Sequence, residues 1–239
     1  MNYDSSFMNY TTRMNEISAR IVTKLVSDQF SPKSIVDFGC AQGGWLKAWQ
    51  KTGVTGIQGV DGAYVDQSSL LIAQSQFKAA DLCQPVELHK TFDMAQCVEV
   101  AEHLSADGAR IIVKNLTRHA PVVLFSSAPP GQGGRGHINE QPYEYWRDLF
   151  AEESYDLYDW VRPQIANRKD VQPWYRYNLF LFVHSHAELP EAIRQARVPP
   201  HTAIPDVSSP LYQLRKMLVR LIPKSIQDII SNLLAARKI

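Results

Sequence analysis

Cysteine is scarce in this chain: three in 239 residues, at Cys40, Cys83 and Cys97. The number is odd and no C-x-x-C pair occurs, which argues against a disulfide scaffold and a zinc–cysteine site and for a reducing compartment. Net charge is scarce too. Lys and Arg total 25 against 24 Asp and Glu, for a formal charge of +1. The whole chain therefore carries no electrostatic footprint for nucleic acid, which makes a nucleic-acid partner unexpected. No apolar run is long enough to span a bilayer. The N-terminal Met-Asn-Tyr-Asp-Ser-Ser has no basic and no apolar stretch, so no signal peptide is expected. A cytoplasmic protein is the expectation. Internal repeats are missing as well. What the chain does have is 45% hydrophobic against 21% charged residues, enough for a globular core.

Apolar positions at Ile17, Ile21, Val22, Leu25 and Val26 have helical spacing and predict an opening helix over Asn15–Phe30. Ser31-Pro32 ends it. Strands are then expected at Ser34–Phe38, Gly56–Val60, Phe77–Ala80, Phe92–Val98 and Val122–Ser126. Helices are expected at Asp107–Arg118 and Pro142–Glu152. Alternating β and α elements imply an α/β fold with a doubly wound, mostly parallel sheet. Tyr155–Val161 and Trp174–Val183 read as two aromatic-rich strands, an antiparallel pair at the sheet edge. The expected organisation is a domain over 1–186, a Pro-rich linker over 187–210 and a basic amphipathic helical tail over 211–239. In the tail, Arg215, Lys216, Arg220, Lys224, Arg237 and Lys238 face only Asp228. Ile226, Ile229, Ile230, Leu233 and Leu234 share one helical face.

Ser34 to Trp45 reads S-I-V-D-F-G-C-A-Q-G-G-W: a short apolar strand, a Gly-rich turn, then a helix-forming stretch. That is the shape of a nucleotide-binding crossover. Glycines let backbone approach a ligand, and the helix start offers unpaired N–H groups. Asp61 ends the second expected strand and Asp81-Leu82 follows the third. Phe92-Asp93 to Val98-Glu99-Val100-Ala101-Glu102-His103 covers the fourth.

This ordered set resembles class I S-adenosylmethionine-dependent methyltransferases over roughly residues 15–185. The resemblance implies a Rossmann-like, seven-stranded sheet with an antiparallel edge strand. It implies a donor site formed by Asp37, Gly39, Cys40, Ala41, Gly43, Trp45, Asp61, Gly62, Asp81, Leu82 and Val98. Asp37 would accept from the donor's ammonium, Asp61 from its ribose hydroxyls and Asp81 from its adenine amine. Ala41 departs from the family pattern, which has glycine there. It fits if its φ stays negative. A nicotinamide dinucleotide is the rival for Asp61, but Gly39-Cys-Ala-Gln-Gly43 is not G-x-G-x-x-G.

The segment from Phe92 resembles the family's F-D-x-V-x-x-x-E-V-x-E-H. Glu99, Glu102 and His103 stand at i, i+3 and i+4, so one helical turn would point all three the same way. With His137, from the Gly-rich run Gly131–Gly136 after the fifth strand, they form a candidate set for a divalent cation such as Mg, Mn, Fe or Zn. Three readings stay open. His137 is a fourth metal ligand, or it is a metal-free general base alongside Glu99, or the glutamates shape the turn and His103 packs under the cofactor.

The surrounding aromatic and basic residues (Tyr143, Tyr145, Trp146, Arg162, Arg168, Lys169, Trp174–Tyr177) suit a sugar, a sugar phosphate or a stacked base. The run from Ser126 to Trp146 also resembles methyltransferases of bacterial surface-polysaccharide synthesis. That implies O-methylation of a sugar or glycan hydroxyl, on a lipid-linked chain in one version. RNA 2′-O-methylation, a small-molecule acceptor and a non-catalytic donor-binding scaffold are the alternatives. The tail suggests peripheral association with the inner face of the membrane, with docking on its own domain or at a homo-oligomer contact as the competing readings.

Overall fold

The computed structural model describes residues 5–236, with side chains described over 15–227 and 229–231. Arg237 and Lys238 lie outside the described residues. So do the side chains of Asp228, Leu233 and Leu234.

Seven strands form one sheet: β1 (Ser34–Phe38), β2 (Gly56–Asp61), β3 (Phe77–Ala79), β4 (Met94–Val98), β5 (Val122–Ser126), β6 (Tyr155–Tyr158) and β7 (Phe180–His184). Their order is β3-β2-β1-β4-β5-β7-β6. The first five pair in parallel; β7 runs antiparallel to both β5 and β6. β1 is buried on both faces, as a central parallel strand must be. Ile35 joins one hydrophobic layer with Leu46, Trp49 and Leu181. Val36 and Phe38 join the opposite layer with Ile112, Leu116, Phe150 and Phe182.

The helices are α1 (Ser5–Phe30), α2 (Gly44–Lys51), α3 (Ala106–His119), α4 (Tyr143–Glu152), α5 (Val161–Ile165), α6 (Pro173–Asn178), α7 (Glu191–Arg194), α8 (Pro210–Arg220) and α9 (Lys224–Ala236). α3 starts where Ser105 Oγ accepts from the Gly108 amide at 3.1 Å, and buries Ala109, Ile112, Val113 and Leu116. The expected strand at Trp174–Val183 is half helix. Pro173 sits in the first turn of α6, where its missing N–H costs nothing, and the strand begins only at Phe180. The strand at Tyr155 likewise stops at Tyr158, before α5.

Residues 187–210, read from their prolines as a linker, run as a packed strap. Ile193 and Ile204 are buried. The Val198 amide donates to Leu157 O at 2.9 Å, and Arg147 Nη1 donates to Thr202 O at 2.6 Å. Among the described residues no helix is long and apolar enough to cross a membrane.

Candidate active site

The strand order reverses between β1 and β4, and the candidate residues gather at the carboxyl ends of β1, β2, β4 and β5. This is the crevice where open α/β sheets bind ligands. After β1 the chain turns through three left-handed residues: Gly39 (φ 87°), Ala41 (φ 49°) and Gly43 (φ 85°). Ala41 therefore does not meet the condition of a negative φ. The middle position of the turn needs the left-handed region, and Ala41 occupies it at a steric cost. Gly39 is needed for space as well as φ, since a Cβ there would lie 2.3 Å from Val100 Cγ2.

Asp61 Oδ2 accepts from the Ala41 amide at 2.7 Å; Oδ1 accepts from the Gly62 amide at 2.7 Å and from Tyr64 Oη at 2.5 Å. The carboxylate thus ties the end of β2 to the β1 turn. Asp37 is buried in the same crevice. Burial and the neighbouring Asp61 push its pKa up to about 8. Burial pushes the Cys40 thiol up too, which disfavours the thiolate. Trp45 is buried edge-on against Tyr175, with ring centroids 5.2 Å apart. Asp81 is exposed, with Oδ1 accepting from the Cys83 amide at 2.9 Å, so it shapes its own turn; Leu82 beside it is buried.

The Glu-Glu-His segment is not one helical turn. Glu99 has φ 56°, and only Ala101–His103 coils, as a short 3-10 turn. Glu99 is close enough to Glu102 for the two carboxylates to interact, but its oxygens are taken up by other partners. Its Oε1 accepts from Ser126 Oγ at 2.8 Å and its Oε2 from Gln132 Nε2 at 2.5 Å. Burial and Glu102 hold the Glu99 carboxyl up near pKa 8. Gln132 is held in turn by Asn178 Nδ2 at 2.6 Å, and Asn178 by Tyr143 Oη at 2.8 Å.

Glu102, His103 and His137 do come together, with one ligand atom from each lying within 4.8 Å of the others. His137 is carried in by the loop after β5, whose Ile138 and Asn139 amides both donate to Glu102 O. His137 Nδ1 donates to Glu140 Oε1 at 2.9 Å and His103 Nδ1 to Gly136 O at 3.2 Å. An imidazole that donates through Nδ1 and bears a single proton carries its lone pair on Nε2. Burial lowers His103 to about pKa 4, which keeps it neutral. Glu102 is fully buried; burial lifts it to about pKa 7, and its Oε1 has no hydrogen-bond partner. That oxygen lies 4.0 Å from His137 Nε2. Gly134 completes the cradle, because a Cβ there would fall 2.2 Å from His137 Nε2.

Sequence reasoning missed Glu140. Burial pushes its pKa up, but bonds from His137 and the Gly131 and Gly133 amides outweigh that and lower it. The i, i+3 spacing of His137 and Glu140 was the available signal. Gln132 and Asn178 had none. Arg162, read as a substrate-facing cation, is fully buried. Nε donates to Asp159 Oδ1 at 2.8 Å, and the guanidinium lies 4.2 Å from the Phe180 ring centre. Arg168 is paired at the surface with Asp170.

A family model described as a methyltransferase domain matches residues 10–166, well over half of the chain. The chain belongs to that family and is an S-adenosylmethionine-dependent methyltransferase. No curated protein matches it. Among solved structures it is similar to an O-methyltransferase family protein from Burkholderia thailandensis (TM-score 0.59, 12% identity, 76% of this chain and 59% of that one). It is similar to the sugar N-methyltransferase KedS8 from Streptoalloteichus (TM-score 0.55, 17% identity, 70% and 87%). A third is human N-acetylserotonin methyltransferase in complex with the methyl donor (TM-score 0.52, 12% identity, 74% and 55%). The chain thus spans less than two thirds of the Burkholderia and human proteins. At these identities the likeness is one of fold.

Proposed function

We propose that this methyltransferase acts on a sugar or glycan hydroxyl, and that Glu102, His103 and His137 hold a divalent cation on the acceptor side. The observation that carries the cation reading is the orphaned Glu102 Oε1, fully buried and 4.0 Å from His137 Nε2, in a residue that clusters with both His103 and His137. Three lone-pair donors converging in a buried site repel one another unless a cation or a proton lies among them. One carboxylate and two imidazoles suit Mn, Fe or Zn better than an all-oxygen Mg site. A cation held there would supply Lewis acidity toward the acceptor hydroxyl.

The chain's own residues do the rest. Asp37 and Asp61 would hold the donor at the ends of β1 and β2, with Gly39, Cys40, Ala41, Gly43, Trp45 and Gly62 forming the turn around it. Val98, Asp81 and Leu82 would border the adenosine. Glu140 and Gly136 O fix the two histidine tautomers, as outer carboxylates and carbonyls commonly do. Methyl transfer in line needs alignment, exclusion of water and loss of one proton. Half-buried Tyr212, with Arg215 against its ring and the buried Tyr177 behind it at 5.4 Å between ring centroids, would offer a sugar an aromatic and cationic wall.

Metal analysis after mild purification tests the cation. Stoichiometric metal and chelator-sensitive transfer are expected. Metal-free, chelator-insensitive activity would leave the second reading, which the His137–Glu140 bond favours: His137 Nε2 takes the hydroxyl proton while Glu140 orients the ring. Labelled methyl transfer to a glycan panel and to RNA tests the acceptor. Transfer to RNA alone would overturn the sugar. Donor binding without transfer to any hydroxyl would leave a scaffold.

A further inference from the structure

The loop from Pro129 to Glu140 holds four glycines, and three of its residues have positive φ (Gly131, Gly133, Gly136). Such a backbone is costly to order by itself. Yet it must place His137 next to Glu102. The two C-terminal helices lie directly on it. Arg215 Nη1 donates to Gln132 O at 2.9 Å, Arg220 Nε to Pro130 O at 3.0 Å and Lys224 Nζ to His137 O at 2.7 Å. Three cationic side chains thus satisfy three carbonyls of a loop that has no ladder of its own. The fit is close: a Cβ on Gly131 would lie 2.3 Å from Lys216 O, and one on Gly133 would lie 2.9 Å from Val219 Cγ1. α8 is itself anchored by Lys216 Nζ on Asp206, at 2.5 Å. Gln227 of α9 donates back to Val219 O and Ile222 O, which joins the helices into one body.

We propose that α8 and α9 are part of the catalytic site, and that Arg215 and Lys224 are positioning residues. Arg215 fixes Gln132, which holds Glu99. Lys224 fixes the backbone of His137 and so its approach to Glu102 and His103. The proposal rests on the cation reading for its second readout only.

Two measurements on the full chain test it, comparing wild type with the double variant Arg215→Ala/Lys224→Ala. Amide exchange should accelerate at Gly131, Gly133, Ile138 and Asn139, whose hydrogen bonds hold the loop. Mn2+ affinity, read by water-proton relaxation, should fall about 10–100-fold, the usual cost of losing outer support of a metal ligand. Affinity for S-adenosylhomocysteine, which would sit chiefly at the ends of β1 and β2, should stay within about twofold, a shift of roughly 0.4 kcal/mol. Arg215→Lys/Lys224→Arg keeps a donor at each place and should restore both readouts. Unchanged loop exchange overturns the proposal. Faster exchange with unchanged Mn2+ affinity also overturns the positioning role, and so does equal loss of S-adenosylhomocysteine binding, which would mean general unfolding. If the wild type binds no Mn2+, the cation reading fails and the exchange arm with its conservative rescue decides by itself.

Discussion

Replacing Ala41 by glycine should stabilise this protein. Ala41 sits at φ 49° in the turn after β1, between two glycines that also have positive φ. An L-residue with a Cβ pays roughly 1–2 kcal/mol in that region. Glycine removes that cost but gives the unfolded chain more freedom, worth about 0.4–1 kcal/mol in the opposite direction. The difference favours the folded variant by about 0.5–1 kcal/mol. For a chain of this length that raises Tm by about 1–4 °C. The Ala41 amide that donates to Asp61 is retained, so donor binding should not weaken. Denaturant unfolding gives the first number, if m is unchanged, and titration of S-adenosylhomocysteine gives the second. The reverse swap at Gly43 provides the control. Its φ is 85° and an added Cβ would meet Ile72 Cγ1 at 3.0 Å, so Gly43→Ala should lose about 1–3 kcal/mol. A drop of 1 kcal/mol or more for Ala41→Gly would refute the reasoning, because the backbone there would then not be left-handed.

Asp37 sets a pH dependence. Its pKa is raised to about 8 when the site is empty, so its share of stability is greatest below about pH 4, where the unfolded group is also protonated, and is lost as pH climbs toward 8. A bound ammonium favours the ionised carboxylate. Donor binding should therefore release a proton and tighten from pH 6 to about 8; calorimetry in two buffers with no proton released at pH 7 would contradict this. Gly134→Ala has an ordinary backbone but places its methyl against His137 Nε2, so Mn2+ binding should fall with S-adenosylhomocysteine binding intact. Arg162→Ala should cost about 3–5 kcal/mol in denaturant unfolding, since it removes a buried guanidinium and strands Asp159; a loss under 1 kcal/mol would return Arg162 to the substrate side. On the tail, Leu211, Leu214, Leu218 and Leu221 are exposed, Leu221 at 81%. If that row meets lipid, Leu218→Ser/Leu221→Ser should cut co-sedimentation with anionic vesicles, and equal sedimentation would end the lipid idea.

The glycine turn, the acids that follow each strand and the parallel core were legible in the sequence because they depend on local chemistry. Strand periodicity and turn residues gave the α/β crossover, and the ordered motifs carried the resemblance that implies the donor. Ala41 showed the limit even there: the residue type was plain, but its φ depended on how the turn closes onto Asp61. Other local patterns were misleading because tertiary contacts outweighed them. Glu99 had the spacing of a ligand, but its left-handed backbone gave it to Ser126 and Gln132 instead. Arg162 read as one of the basic residues suited to a sugar and is fully buried. The prolines after His186 suggested a tether, while Ile193 and Ile204 hold that segment against the domain.

What only the tertiary structure decided lies on the acceptor side. Glu102 and His103 come from the β4 edge, His137 and Glu140 from the loop after β5, and Arg215 and Lys224 from helices far along the chain. Their meeting depends on long-range packing, which no spacing in the sequence records. By itself the sequence determined the fold and the methyl donor, since those rest on contiguous motifs. The arrangement that would receive the methyl group was decided by which distant segments the folded sheet brings to one edge.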